Sequence, residues 1–277
     1  MVECGPMRMF IEGFAFGVPQ PDSCVGAAQK AIEFLEQIAS RWQYFKSPAR
    51  QIDESPGNPL LHSMWEAARL VGDPDLTPMA AVAGAIAEAT ADLLSKSGIT
   101  RVVVNNGGDL AIRLGPGDSL AVGIRPDVAR PDVTHRIVLT PEMNVNGICT
   151  SGLGGRSFTR GIASAATVLG QSAAVADAAA TAIANATFID APAVKRVMAD
   201  AVDPDTDLNG VEVTSAVGEL SEGEIELALS QGIAKAERLF EKGLIIGACL
   251  TVKKHTRCTG SISSLLAPMV VDKPSNH

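Results

Sequence analysis

Asp177 and Thr181, in the run Ala176-Asp177-Ala178-Ala179-Ala180-Thr181-Ala182, are the residues of this chain whose types and spacing point most directly to chemistry. Positions i and i+4 share one face of an α-helix, so a carboxylate and a hydroxyl would present oxygens to a single volume. Hard cations such as Mg²⁺ take about six oxygen ligands, so this pair is a half-site that backbone carbonyls, water or a ligand phosphate must complete. The competing reading is local: Thr181 bonds back to the carbonyl of residue 177, and Asp177 sits exposed or near a helix cap.

Two polar, glycine-bearing clusters precede that run. Asn105-Asn106-Gly107-Gly108-Asp109 follows the apolar Val102-Val103-Val104. Paired glycines let a backbone approach a ligand, and Asn106 and Asp109 add oriented polar atoms. Asn-Gly is also the strongest short hairpin signal, so a plain turn between two strands fits the same residues. The second cluster, Cys149-Thr150-Ser151-Gly152-Leu153-Gly154-Gly155-Arg156, offers two hydroxyls, three glycines and an arginine, a set that suits an anion such as phosphate. It is neither a Walker loop nor a dinucleotide fingerprint, and a plain surface loop fits it too.

Other chemistries are excluded or weak. His62, His135, His255 and His277 fall in none of these clusters and build no paired-histidine metal motif or Ser-His-Asp arrangement. The five cysteines, Cys4, Cys24, Cys149, Cys249 and Cys258, are odd in number and lack a C-x-x-C pair, so reduced thiols are expected. A net charge of −8 argues against a nucleic-acid surface. No apolar run is long enough for a membrane span or a signal peptide, which predicts a cytoplasmic protein without a membrane partner.

These clusters need a scaffold. With 46% apolar but only 4% aromatic residues, the core must be filled by Ala, Val, Ile and Leu. Apolar periodicity predicts helices over 25–42, with Ser23 as cap, and over 60–71. A third runs from Thr77 as N-cap and Pro78 at the first position to Gly98 just past its end. Strands are expected at 101–105, 110–114, 119–124, 135–140 and 165–169, and Gly115-Pro116-Gly117-Asp118 reads as a turn. Helices at 173–187, 193–202 and 221–241 and a buried strand at 244–252 complete the pattern. Blocks of helices and strands that do not alternate predict an α+β fold with a largely antiparallel sheet packed with alanine-rich helices. A single domain over 1–258 is expected, with 259–277 as an appended tail.

In order and spacing, the three clusters resemble those of the ApbE family, flavin transferases that attach FMN from FAD to a Ser or Thr of a target protein. Asn106-Gly107-Gly108-Asp109 resembles the family's N-x-GGD motif, Thr150-Ser151-Gly152 its T-S-G turn, and 176–182 its A-D-A-x-A-T-A helix. Gly84-Ala85-Ile86-Ala87-Glu88-Ala89 is similar to its G-x-I-A-K-G helix. The resemblance implies a T-fold-like α+β arrangement. It makes Asp177 and Thr181 the ligands of a Mg²⁺ that also contacts the FAD pyrophosphate, and it makes Asn106, Gly107, Gly108, Asp109, Thr150, Ser151 and Glu88 the flavin-pocket residues. Glu88 stands where the family has lysine, next to the implied pyrophosphate, where a carboxylate would repel phosphate or join the metal shell.

The transferases also carry an H-x-I-D-P-x-T-G segment between the T-S-G turn and the metal helix. Here that stretch is Arg156-Ser157-Phe158-Thr159-Arg160-Gly161-Ile162, with no histidine, aspartate or proline. In this the chain resembles the short, cytoplasmic ApbE-like branch, an assignment that gives a fold and a pocket but no reaction. Three readings stay open. One is a protein that binds a phosphate-bearing ligand such as FAD or FMN with a divalent metal, with or without transferase activity. Another is a thiol-dependent sulfur carrier or redox protein using Cys149, whose pKa the adjoining turn would lower. The last is a non-catalytic homo-oligomeric scaffold.

Overall fold

A computed structural model describes residues 1–125, 127 and 133–268 of the chain. Its N-terminal part holds strands β1 (Val2–Cys4), β2 (Met7–Ala15) and β3 (Val18–Pro19), then helices α1 (Pro21–Ala39), α2 (Pro59–Val71) and α3 (Val82–Lys96). The middle runs through β4 (Arg101–Asn106), β5 (Asp109–Leu114), β6 (Leu120–Ile124), β7 (His135–Leu139), β8 (Gly147–Ser151), β9 (Ala165–Gly170) and helix α4 (Ala173–Asn185). There follow β10 (Val194–Met198), α5 (Ala199–Val202), β11 (Glu212–Val217), α6 (Glu222–Glu241), β12 (Gly247–Val252), β13 (His255–Gly260), α7 (Ile262–Leu265) and β14 (Ala267–Pro268).

The main sheet runs β1-β2-β4-β5-β8-β9-β12-β13, with β3 paired to β2. Its pairings are antiparallel, as the sequence led one to expect. Alternation along the strands separates two cores. Val102, Val104, Ala111, Cys149, Val168, Ala248 and Leu250 point to the helices. Ile112, Ile148, Leu169 and Cys249 point the other way, against the three-stranded sheet β14-β7-β6. Helix α4 is buried nearly all round, as an alanine-rich helix lying between a sheet and other helices must be. Its Cβ-only side chains let neighbours come close. A Cβ on Gly84 of α3 would stand 2.8 Å from the Asp177 Cβ, and one on Gly147 would stand 2.7 Å from the Ala173 nitrogen.

Several expectations are corrected. Residues 194–198 are a strand, because cross-strand pairing with β11 overrides the helical pattern. Helix α1 begins at Pro21, where the ring suits the first helical turn, so Ser23 lies inside it. The third helix splits into a 3₁₀ turn (Pro78–Ala81) and α3, and the Thr77 hydroxyl donates to Asp207 instead of capping. Strands β2 and β8 were not foreseen. Within the stretch expected as a tail, Thr259 and Gly260 complete β13, and Ala267–Pro268 pairs with β7; residues 269–277, with His277, lie outside the described residues. Among the described residues no helix is long and apolar enough to cross a membrane.

Candidate functional site

The β4–β5 hairpin closes through Gly107 and Gly108, with φ of 71° and 117°, and Asn106 pairs with Asp109 at its base. The turn reading and the ligand reading therefore converge, since this hairpin tip lines an open cleft of about 580 Å³. That size falls in the range of small-molecule and cofactor sites. Eight of the sequence-derived candidates line it together: Asn106, Gly107, Gly108, Asp109, Thr150, Ser151, Asp177 and Thr181.

The sheet opens to make room. Strands β5 and β8 pair only at Leu110–Ile148 and Ala111–Gly147. Beyond that point Asp109 Oδ1 accepts the Thr150 N–H at 3.1 Å, a side chain replacing the ladder. From the helical side, Asp177 Oδ2 accepts the Gly84 N–H at 2.9 Å, at the first residues of α3. Asn106 Nδ2 donates to the Ala83 carbonyl at 3.3 Å and ties the hairpin to the same helix end. Thr181 lies one turn beyond Asp177 on the cleft side, as the i, i+4 spacing requires.

Burial governs the electrostatics. Desolvation pushes Asp109 up to about 6, partly offset by the Thr150 N–H, the Cys149 thiol and the Arg156 charge. Asp177 is raised well above the carboxylate range, first by desolvation and then by the charge of Asp109, against the N–H groups of Gly84 and Ala83. Two carboxylates in one partly dry volume cannot both ionise cheaply unless a cation joins them.

Sequence reasoning missed other parts of the lining. Thr167, whose hydroxyl lies 2.9 Å from that of Thr150, is a polar residue inside an otherwise apolar buried strand, which was the available signal. Arg125 and Arg156 bring the cleft its positive charge. The Arg156 guanidinium donates to the Pro6 carbonyl and lies where a Cβ on Gly107 would fall. Val82, Ile86, Leu110, Val122 and Ile124 give apolar walls beside this polar floor. Among the described residues no group of three or more His, Cys, Asp or Glu side chains is placed to hold a metal ion.

A family model described as "AbpE bacteria" matches residues 1–259. The chain belongs to this ApbE-like family. Its curated relatives include a UPF0280 protein of Methanopyrus kandleri, 41% identical over 194 residues, which span 66% of this chain and 75% of the relative. Another, from Methanospirillum hungatei, is 32% identical over 177 residues, or 63% of this chain and 70% of that one. Among solved structures, the apo flavinyl transferase ApbE of Pseudomonas stutzeri aligns with a TM-score of 0.40 at 18% identity, covering 70% of this chain and half of that one (50%). The flavin transferase ApbE of Vibrio cholerae aligns with a TM-score of 0.38 at 13% identity, covering 86% of this chain and 76% of that one.

In this ApbE-like chain two expectations for the site fail. Glu88 does not line the cleft. Its Oε2 accepts the Ser172 hydroxyl at 2.8 Å and the Ala174 N–H at 3.0 Å, and Oε1 lies 3.6 Å from Arg113, so it caps the N-terminus of α4, where the helix dipole favours a negative charge. Cys149 is not an activated thiol. It is fully buried and donates to the Ala173 carbonyl at 3.3 Å. Burial, then the charges of Asp109, Asp177 and Glu88, push its pKa well above the ordinary thiol value, the reverse of what a nucleophile needs.

The stretch in place of the transferases' H-x-I-D-P-x-T-G segment is largely committed to scaffolding. Arg160 pairs with Asp73 at 2.9 Å and Asp75 at 2.8 Å, and its N–H donates to Asn185 Oδ1 at the end of α4. Gly161 packs so tightly on the Ala184 carbonyl that no side chain fits. Only Arg156 and Ser157 of this segment reach the cleft.

Proposed function

We propose that this protein binds a phosphate-bearing ligand in the cleft together with a divalent cation, and that a flavin nucleotide, FAD or FMN, is the class of ligand it takes. The observation that carries the reading is the convergence of Asp109 and Asp177, from a hairpin and a helix remote in sequence, on one volume under the Gly107–Gly108 turn.

Two carboxylates alone would repel phosphate. The donor set fits a hard cation, because Asp177, Thr181 and Asp109 supply oxygens, and with only two carboxylates the shell needs water and ligand oxygens as well. When bound, the cation supplies charge neutralisation between carboxylate and phosphate. Asp177 holds its place through the Gly84 N–H, and Asp109 through the Thr150 N–H. Arg156 and Arg125 offer positive charge to the remaining phosphate oxygens. Apolar walls beside the polar floor suit a ligand with a flat ring system at one end and phosphates at the other. The motif resemblance supplies the choice of a flavin among such ligands. The reading is one of binding, since residues 156–162, in place of the transferases' segment, carry neither its histidine nor its aspartate.

Equilibrium titration with FAD and FMN, with and without Mg²⁺, followed by flavin absorbance and thermal shift, tests it. Mg²⁺-dependent binding that disappears in Asp177→Ala is the expected result. Binding of equal strength without Mg²⁺, or in Asp177→Ala, would overturn the metal-linked reading, and no flavin binding at all would overturn the choice of ligand.

A further inference from the structure

Cys249 and Cys258 lie far apart from any C-x-x-C pattern, yet the fold sets them directly opposite each other on β12 and β13. The hairpin between these strands has a two-residue loop, Lys253–Lys254, and its closing pair is Val252 and His255. A closing pair of this kind exchanges both backbone hydrogen bonds, and the pairs then alternate outward. Thr251–Thr256 and Cys249–Cys258 therefore occupy non-hydrogen-bonded positions, where opposed Cα atoms stand only about 4.5 Å apart and side chains come closest. The threonine pair shows that closeness directly, its two hydroxyls meeting at 2.9 Å on the same face of the hairpin. A separation of about 4.5 Å also falls inside the Cα window that a disulfide tolerates, about 4.4–6.8 Å.

We propose that Cys249 and Cys258 are a reversible dithiol–disulfide site, oxidised by small-molecule disulfides. Both thiols are free in this structure. Cys258 is half-buried on the edge strand of the main sheet, whereas Cys249 is buried against the second core. Access and environment assign the order of events. The Cys249 thiol donates to Cys258, which holds the Cys258 pKa below the ordinary thiol value and leaves Cys249 protonated. Cys258 attacks one sulfur of the small disulfide, whose S–S bond breaks and releases one thiolate. Cys249 then loses its proton to solvent and attacks the Cys258 sulfur, displacing the second small thiol. The protein gives up two electrons and two protons, and one disulfide is reduced to two thiols.

The site has a structural consequence. Strand β13 leads through α7 to β14, which pairs with β7 of the small sheet, and β6 of that sheet supplies Val122 and Ile124 to the cleft, with Arg125 just beyond its end. A Cys249–Cys258 bond staples the root of this segment to the main sheet. The partners are direct neighbours across a short hairpin, so the stabilisation expected from loop closure is small.

The test uses the full chain, equilibrated in buffers running from reduced to oxidised glutathione, then acid-quenched, unfolded, blocked at free thiols and digested with trypsin. Lys253, Lys254 and Arg257 separate the two cysteines, so a bond appears as a linked peptide pair. The expected result is conversion of Cys249 and Cys258 to one linked pair, reversed by reduced glutathione, while Cys4, Cys24 and Cys149 stay blockable. In Cys249→Ser, Cys258 should stop at the glutathione mixed disulfide. The proposal is overturned if the wild-type chain itself stops at that mixed disulfide, if both thiols stay free in fully oxidised glutathione, or if Cys258 links to another cysteine instead.

Discussion

The carboxylates of Asp109 and Asp177 share the floor of the cleft, and ionisation of the first opposes ionisation of the second. Backbone N–H groups hold each, that of Thr150 for Asp109 and those of Gly84 and Ala83 for Asp177. Apolar helices around this floor raise the cost of charge there. The arrangement is therefore disfavoured at neutral pH without a cation and favoured with one.

A pH dependence follows from this pair. Asp109 rises from an ordinary 3.8 to about 6, so between those values the folded chain keeps a proton that the unfolded chain has released. Its contribution to stability is complete below about pH 4 and is lost as pH climbs through 6, by at most about 3 kcal/mol. Asp177, raised by the same first cause, acts in the same direction. Urea unfolding at pH 4.5 and pH 7.5 should show the loss, and Asp109→Asn should flatten it. Added Mg²⁺ should stabilise more at pH 7.5 than at pH 4.5, because protons compete for the same oxygens. An Asp109→Asn protein with the wild-type pH slope would contradict this account.

Glu88 separates a structural role from a ligand role. Its carboxylate serves the Ser172 hydroxyl and the Ala174 N–H at the start of α4 and sits beside Arg113. Glu88→Ala leaves those donors without their acceptor, so it should destabilise the chain by roughly 1–3 kcal/mol in urea unfolding. At temperatures where the variant stays folded, flavin affinity should fall by less than threefold. A tenfold loss of affinity with unchanged stability would return Glu88 to the ligand site.

The limits of sequence reading here have physical causes. The Asn106-Gly107-Gly108-Asp109 hairpin and helix α4 were legible because each rests on local rules, the turn chemistry of Asn-Gly and an unbroken alanine periodicity. That Asp177 and Thr181 share a face followed from helix geometry alone. Strand β2 was not legible because Phe10, 52% exposed, breaks the alternation of buried Met7 and Met9 with exposed Arg8. Residues 194–198 read as helix because their strand form depends on β11, a partner remote in sequence. Glu88 resembled a ligand because motif order fixes its neighbours but not its rotamer, and only the approach of α4 decides where the carboxylate goes. The meeting of Asp109 with Asp177 belongs to tertiary packing, which no local pattern encodes, whereas that of Cys249 with Cys258 follows from the register of the β12–β13 hairpin, whose second strand was not read from the sequence.

Gly84 should be intolerant of any side chain. A Cβ there would stand 2.7 Å from the Ala173 carbonyl carbon and 2.8 Å from the Asp177 Cβ, neither of them the end of a flexible chain. Gly84→Ala must push α3 away from α4, which predicts a loss of about 1–3 kcal/mol, the range of overpacked cores. A helix-interior glycine replaced by alanine otherwise gains about 1 kcal/mol, so the sign of the change decides the matter. A higher Tm for Gly84→Ala would mean that the two helices are not in close contact. Because the Gly84 N–H also holds Asp177, cation binding should weaken in the same variant.

Cys149 should be the slowest of the five thiols to alkylate in the native protein. It is fully buried, its thiol donates to the Ala173 carbonyl, and three carboxylates oppose its ionisation. Labelling with iodoacetamide near pH 8 should proceed only as fast as the chain opens, and it should accelerate in urea in step with unfolding. Cys4 and Cys24, both half-buried, provide internal references. Labelling of Cys149 at the rate of a free thiol in the folded state would restore the redox reading.

Arg156 offers the sharpest discrimination between a cleft built for phosphate and one that is merely polar. Its guanidinium rests on the Gly107 turn and donates to the Pro6 carbonyl, so it closes one side of the cleft while remaining exposed. Arg156→Gln removes the charge and keeps part of the hydrogen bonding. A charge-assisted hydrogen bond to phosphate contributes about 1.5–3 kcal/mol, which corresponds to a loss of roughly ten- to a hundredfold in affinity. The loss should be large for FAD and FMN and nearly absent for riboflavin, which carries the same ring system without phosphate. Competition by inorganic pyrophosphate should weaken in parallel, while the unfolding midpoint shifts little because the side chain is on the surface. Equal losses for riboflavin and FMN would place Arg156 with the ring instead of the phosphates, and the orientation of the ligand in the cleft would have to be reversed.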